Sequence, residues 1–94
     1  MVTAKWNGAI VAQSDDTIMV EGNHYFPKES IGSAFFNASE KTSYCGWKGT
    51  ASYFDLVVNG KTNKDAAWTY SEPLEAAAET KDRIAFWGGV EVTE

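Results

Sequence analysis

The residues best equipped for chemistry are crowded into Tyr44-Cys45-Gly46-Trp47-Lys48-Gly49-Thr50-Ala51-Ser52-Tyr53-Phe54. This stretch holds the only cysteine, a lysine between Trp47 and Gly49, the Thr50 and Ser52 hydroxyls and four aromatic rings. Connecting loops are normally built from small polar residues, so the density marks a candidate site. Cys45 can serve as a nucleophile or redox thiol, because a neighbouring lysine ammonium raises the thiolate fraction. The sole histidine, His24, can act as its base only if the His24 strand folds close to the stretch. Cys45 can equally be a small buried hydrophobe, as most free cysteines are. Lys48 can hold an anionic or carbonyl group, with Thr50 and Ser52 adding hydrogen bonds. Its alternatives are a lysine stem covering an aromatic ring, or an ion pair with Asp65. Cys45 and Lys48 are therefore the catalytic candidates, yet no complete catalytic constellation is legible around them.

Trp47, Tyr53, Trp68, Tyr70 and Trp87 are suited to line a pocket that stacks a planar or apolar ligand. Each large aromatic buries roughly 150–250 Å², so a small domain also needs some of them for its core. Tyr53 and Trp68 are the expected exposed pair. Asp65 either orients Lys48 or caps a turn. The expected ligand-binding set is thus Trp47, Lys48, Thr50, Ser52, Tyr53, Asp65, Trp68 and Tyr70. Glu72, Glu75 and Glu79 would share one helical face, with Glu79 placed to pair with Arg83 at i,i+4, and this reads as a solvated face.

Composition narrows the classes of function. A chain of 94 residues makes one domain with a single modest core. Thirteen acidic residues against eight basic ones give a net charge of −5. The basic residues are scattered, whereas binding to a phosphate backbone needs a basic stripe, so nucleic acid is not the expected partner. The apolar runs are too short to span a membrane, and the N-terminal residues lack a signal-peptide pattern. The expectation is a cytoplasmic protein, a monomer or weak homo-oligomer, with a small-molecule partner. One cysteine and one histidine supply neither an internal disulfide nor a ligand set for structural zinc. No metal or cofactor is expected.

The elements that would position these residues are mostly short strands. Val2 to Trp6 and Ala9 to Ala12 flank Asn7-Gly8, a type I′ hairpin signal. Ser14-Asp15-Asp16 is a polar break. Thr17 to Glu21 is β-branched and apolar, Gly22-Asn23 turns the chain, and His24 to Phe26 pairs back before Pro27. Pro27 can precede a short helix over Glu29 to Ile31, with Phe35 and Phe36 packing onto the sheet. Asn37 to Thr42 reads as a polar surface link. Ala51 to Val58 alternates, with Phe54, Leu56 and Val58 on one face, and Asn59-Gly60 is a second type I′ signal. The strand returning from Lys61 ends in Asp65 to Tyr70. Ser71 is then a plausible N-cap, with Pro73 in the first turn of a helix over Leu74 to Thr80. Ile84 to Trp87 and Val90 to Val92 close the fold around Gly88-Gly89. The fold class is mainly β: a compact antiparallel folded sheet or partial barrel with one or two short helices.

The order of several motifs resembles the bacterial family catalogued as domain of unknown function 427. The stretch Cys45-Gly46-Trp47-Lys48-Gly49 followed by Ala51-Ser52-Tyr53 is similar to that family's Cys-Pro-Trp-Lys-Gly and Ala-Ser-Tyr. Asp65 to Tyr70, Glu72 to Ala77, Ile84 to Trp87 and Tyr25-Phe26-Pro27 continue the likeness over nearly the whole chain. Gly46 stands where proline is usual, which loosens the turn. The resemblance implies a compact β fold, similar to the folded-sheet class that includes some zinc-binding and methionine-sulfoxide-reducing domains. The paired Cys-x-x-Cys knuckles of those relatives are missing, so no zinc site carries over. A nucleotidyltransferase label is sometimes attached to the family. Such transfer needs carboxylates converging on Mg²⁺ beside a phosphate-cradling turn, and Lys48-Gly49-Thr50 lacks the upstream glycine of that turn. The expected function is small-molecule binding at an aromatic pocket centred on Lys48 and Cys45, with or without catalysis. The alternative is an interaction module whose exposed aromatics anchor a protein partner.

Overall fold

The computed structural model describes residues 1–94. Two Asn-Gly pairs make two of its hairpin returns. Asn7 and Gly8 (φ 50° and 82°) join β1 (Val2–Trp6) to β2 (Ala9–Ser14), and further on come β3 (Ile18–Val20) and β4 (Asn23–Tyr25). β5 (Phe36–Cys45) precedes β6 (Gly49–Val58), which Asn59 and Gly60 (φ 51° and 78°) join to β7 (Lys61–Thr69). Positive φ at both central residues matches the twist of antiparallel strands, and only asparagine and glycine take it readily. β8 (Ile84–Phe86) and β9 (Glu91–Thr93) complete a mainly antiparallel fold without a closed barrel, and single 3₁₀ turns lie at Lys28–Ser30 and Ser33–Phe35.

Four expectations are corrected. The turn between β3 and β4 is Glu21-Gly22 (φ 52° and 81°), not Gly22-Asn23, and Asn23 pairs with Val20 inside the hairpin. Asn37 to Thr42 is no link; it is the middle of β5, which pairs with β6 from Phe36 to Ala38 and again from Thr42 to Cys45, with an irregularity over residues 39–41. Most of β5 is exposed and only one of its edges is paired, so its sequence has no apolar alternation to betray a strand. The central stretch is accordingly not a loop but two strands meeting at a tip formed by residues 46–48. Finally, Leu74 to Thr80 forms no α-helix. Glu75–Thr80 is a pair of 3₁₀ turns broken at Ala77 (φ −120°, ψ 23°), with Leu74 and not Ser71 at the cap position. Six residues are too few to offset helix nucleation, and tertiary packing of Ala77 and Thr80, both buried, decides the geometry. Glu79 then has no i+4 geometry toward Arg83, whose guanidinium lies 3.6 Å from Asp16.

The main sheet runs β5-β6-β7-β8, and Phe26 and Ile84 exchange two backbone hydrogen bonds of 2.8 Å that attach the β3–β4 hairpin to its β8 edge. One face buries Phe26, Leu56, Val58, Ala67, Ile84 and Phe86 against Ala4, Val11 and Ala12 of the β2-β1-β9 sheet, with Phe54 packed alongside. The opposite face carries the smaller cluster of Val20, Tyr25, Ala51, Tyr70 and Ala85, flanked by Tyr53 and Trp68. Alternation along each strand produces this division: Tyr25 against Phe26, and Ala85 against Ile84 and Phe86. The β6–β7 register slips between Phe54 and Leu56, where Asp65 takes φ 54° and its N–H donates 2.8 Å to Asp55 Oδ1.

At the β5–β6 tip the Lys48 N–H donates to the Cys45 carbonyl (3.2 Å), and the Leu74 N–H donates to the Lys48 carbonyl (3.0 Å). Gly49 is required beside it: at φ 102°, a Cβ would sit 3.3 Å from the Leu74 nitrogen. Gly46 differs, since nothing lies within 4 Å of a Cβ there and its φ is not positive. It occupies the second position of the turn, where proline is favoured. Gly46→Pro is expected to raise unfolding free energy by about 0.4–1 kcal/mol by restricting the unfolded chain. Urea denaturation checks this, and a lowered midpoint would show that the Gly46 backbone is not proline-compatible.

Candidate functional site

Lys48 is 7 % exposed, an unusual state for a lysine. The β5–β6 tip turns its side chain onto the sheet face that the β2-β1-β9 sheet leaves uncovered. Its Nζ pairs with Glu21 Oε1 and lies 5.4 Å from the centroid of the Trp47 ring and 5.6 Å from that of Tyr70. Burial pulls the ammonium's pKa down, but the hydrogen bond that Lys48 donates to Glu21, together with the nearby Tyr25 and Tyr70 phenols and the Glu21 charge, outweighs it. The net position is above the ordinary lysine value. The hydrogen bond from Lys48 likewise holds the Glu21 carboxyl below its usual range, against a smaller opposing effect of burial. Tyr70 is raised, chiefly by burial, with the Lys48 charge opposing. Lys48 is thus a fixed cation with a resident counter-ion. That counter-ion is Glu21, whereas Asp65 was the carboxylate expected beside it.

Lys48, Tyr53, Trp68, Tyr70 and Trp87 line one open depression of about 210 Å³. Pairing of Tyr53 with Trp68 across β6 and β7 sets their rings side by side, 6.4 Å between centroids. Trp68 also meets Tyr25 edge-on at 6.3 Å and donates its indole N–H to the Tyr25 hydroxyl (3.2 Å), which fixes the floor. Lys41 Nζ lies 5.3 Å from the Tyr53 ring, and Ser43 shares a 2.9 Å hydrogen bond with the Tyr53 hydroxyl. Tyr53 and Trp68 are half-buried; the open tryptophans are Trp47 (40 % exposed) and Trp87 (53 % exposed). Trp87 donates its indole N–H to the Asp65 carbonyl, which ties this wall to the β7 bulge.

The other expected residues lie elsewhere. Thr50 and Ser52 point to the opposite side of β6 and line a separate concavity of about 400 Å³ with Tyr44, Ser71, Glu72 and Leu74. Asp65 accepts a hydrogen bond from Ser39 Oγ while its backbone is held by Asp55, so it shapes the bulge. Cys45 is half-buried at the end of β5. His24 is not beside it: its Nδ1 lies 2.9 Å from Thr17 Oγ1 and its Nε2 3.3 Å from Glu94 Oε2. Glu21 was the residue missed. No signal in the sequence marks it; in the structure Glu21 takes a positive φ of 52°, which glutamate rarely does, at the first turn position before Gly22.

The fold and this face define a small antiparallel β domain with an aromatic depression closed at one end by a buried lysine. Residues 1–94 match the family described as Domain of unknown function (DUF427), and the chain belongs to that family. No curated protein matches the chain. No helix is long and apolar enough to cross a membrane.

Unequal exposure of Lys48 and Glu21 makes the ion pair asymmetric to mutation. Lys48→Met leaves a carboxylate that water solvates, whereas Glu21→Gln leaves a buried ammonium without its anion. Glu21→Gln is therefore expected to lower the urea midpoint more than Lys48→Met does. The pH dependence follows from the depressed Glu21 carboxyl. Its contribution is present above the ordinary value of 4.5 and lost as pH falls through the lower folded value. The raised Lys48 value adds stability that is present up to the ordinary 10.5 and lost above it. Denaturation between pH 2 and 6 should show a shallower acid loss for Glu21→Gln than for the native chain; identical slopes would mean that the pair contributes nothing.

Proposed function

We propose that this chain is a cytoplasmic small-molecule binding domain whose site is the aromatic depression lined by Lys48, Tyr53, Trp68, Tyr70 and Trp87. The observation that carries this is their convergence on one concavity: Tyr53 from β6, Trp68 from β7, Tyr70 and Trp87 from just past the ends of β7 and β8, and Lys48 from a hairpin tip. Ligand sites are concave, mostly apolar and fitted with few polar groups, and this depression has four aromatic walls and one cation. Its volume is below the ~300–1,000 Å³ usual for larger ligands, so a single planar ring suits it. An unpaired Cys45 fits a reducing compartment. The raised Lys48 supplies recognition, not nucleophilic chemistry, since a nucleophilic lysine needs a lowered pKa. The second reading is a protein-interaction module, favoured by the open Trp47 and Trp87 beside a shallow depression.

Isotope-labelled protein titrated with pooled planar heterocycles, aldehydes and organic acids separates the two. The expected outcome is amide shifts confined to residues 48, 53, 68, 70 and 87 and their neighbours. Trp87→Ala, which removes an open wall at little cost to the core, should weaken the strongest ligand by about fivefold or more, as loss of an aromatic contact does. Cys45→Ser should leave its affinity within about twofold, since Cys45 is not a wall of the depression. No shifts at millimolar ligand would overturn small-molecule binding and favour a protein partner.

A further inference from the structure

We infer that the Glu21 carboxylate is a built-in occupant of the anion position at Lys48, and that the depression takes a small planar ring bearing a carboxylate that displaces it. The inference rests on the aromatic depression being the ligand site and names the class of ligand. Three observations carry it. Lys48 lines the depression, and its ammonium lies between the Trp47 ring and the Tyr70 ring, the latter itself a wall. Its side chain is 9 % exposed while that of Glu21 is 53 % exposed, so the carboxylate is the partner free to leave. Glu21 also comes from outside: it is no wall of the depression but reaches Lys48 from the Glu21-Gly22 turn of another hairpin.

Exchange of one carboxylate for another explains how a ligand could use Lys48 at all. A buried ammonium stripped of its anion is strongly unfavourable, so a neutral ligand leaves the Lys48–Glu21 pair standing. A ligand carboxylate restores the charge-assisted hydrogen bond as it enters, while Glu21 swings into water, where an exposed carboxylate is well solvated. The ring of the same ligand then packs on Trp68, Tyr53 and Trp87. No bond is made or broken, and the ammonium keeps its proton throughout.

Phenylacetate and its neutral isostere phenylacetamide are the probes, titrated by calorimetry into the native chain and into Glu21→Gln. Removal of the resident anion is expected to tighten phenylacetate by about tenfold or more while phenylacetamide changes by less than about twofold. Adding Lys48→Met to Glu21→Gln should abolish the gain. In the native chain, which needs no variant to fold, saturation with phenylacetate should return the Glu21 side-chain carboxyl toward its ordinary titration midpoint by ¹³C NMR. Equal tightening of both probes, or a Glu21 titration unmoved by saturating phenylacetate, overturns the inference while leaving a ring-binding depression in place. Failure of both probes to perturb Tyr53, Trp68 and Trp87 overturns the inference together with the binding site on which it rests.

Discussion

A lysine ammonium buried at the tip of a hairpin must always have an anion beside it, and the outer face of this protein is arranged around that requirement. The Lys48 side chain is 9 % exposed, with the Trp47 and Tyr70 rings flanking it and the Leu74 N–H holding its backbone carbonyl. Glu21 meets the requirement from a different hairpin, from a backbone conformation that glutamate seldom adopts. The ion pair therefore ties the β3–β4 hairpin to the β5–β6 tip, two elements whose strands are not neighbours in any sheet. A surface pair between the same residue types would contribute little; here one partner is withdrawn from solvent and the contact is not interchangeable.

The second constraint is that one sheet covers only one face of the other. Leu56, Val58, Phe26 and Phe86 find apolar partners across the layers, so that side is closed. The other face has to manage its aromatic residues without a covering layer. It does so by giving three polar tips a partner: the Trp68 indole to Tyr25, the Tyr53 hydroxyl to Ser43, the Trp87 indole to the Asp65 carbonyl. Rings anchored in this way are rigid, and rigid walls lose little entropy when a ligand arrives. The bulge at Asp65 belongs to the same arrangement, since it fixes the carbonyl on which Trp87 rests.

What the sequence revealed follows from which signals are local. Asn7-Gly8 and Asn59-Gly60 place two hairpins because the dipeptide itself carries the turn geometry. Leu56 and Val58 declare their buried face because that face is covered. β5 was illegible for the opposite reason: a mostly exposed edge strand has no apolar alternation, and its order comes from hydrogen bonds to β6. The helix expected after Leu74 failed because propensity over so short a run is weak beside the burial of Ala77 and Thr80. Within the site, Lys48, Tyr53, Trp68 and Tyr70 were legible as a group, since strand pairing brings alternate residues of β6 and β7 onto one face. Thr50 and Ser52 fell on the wrong side by that same period of two. Glu21 was not legible, because nothing within 25 residues of Lys48 in the chain indicates which carboxylate folds against it.

The distinction between holding a ligand and transforming it turns on the protonation of Lys48. A lysine that attacks a carbonyl must spend time neutral, and proteins achieve this with apolar burial or a second cation nearby. Lys48 has the burial, but the carboxylate of Glu21 and the phenols of Tyr25 and Tyr70 more than reverse its effect. The side chain acts as a charge, and its chemistry is attraction. The imidazole of His24, the expected base for Cys45, is engaged by Thr17 and Glu94 instead. The groups that looked reactive in a linear sequence are, in space, the anchor of an ion pair and a half-buried thiol at a strand end. The features that remain are four aromatic walls and a single cation already matched by a carboxylate, and the proposal of a recognition site rests on them.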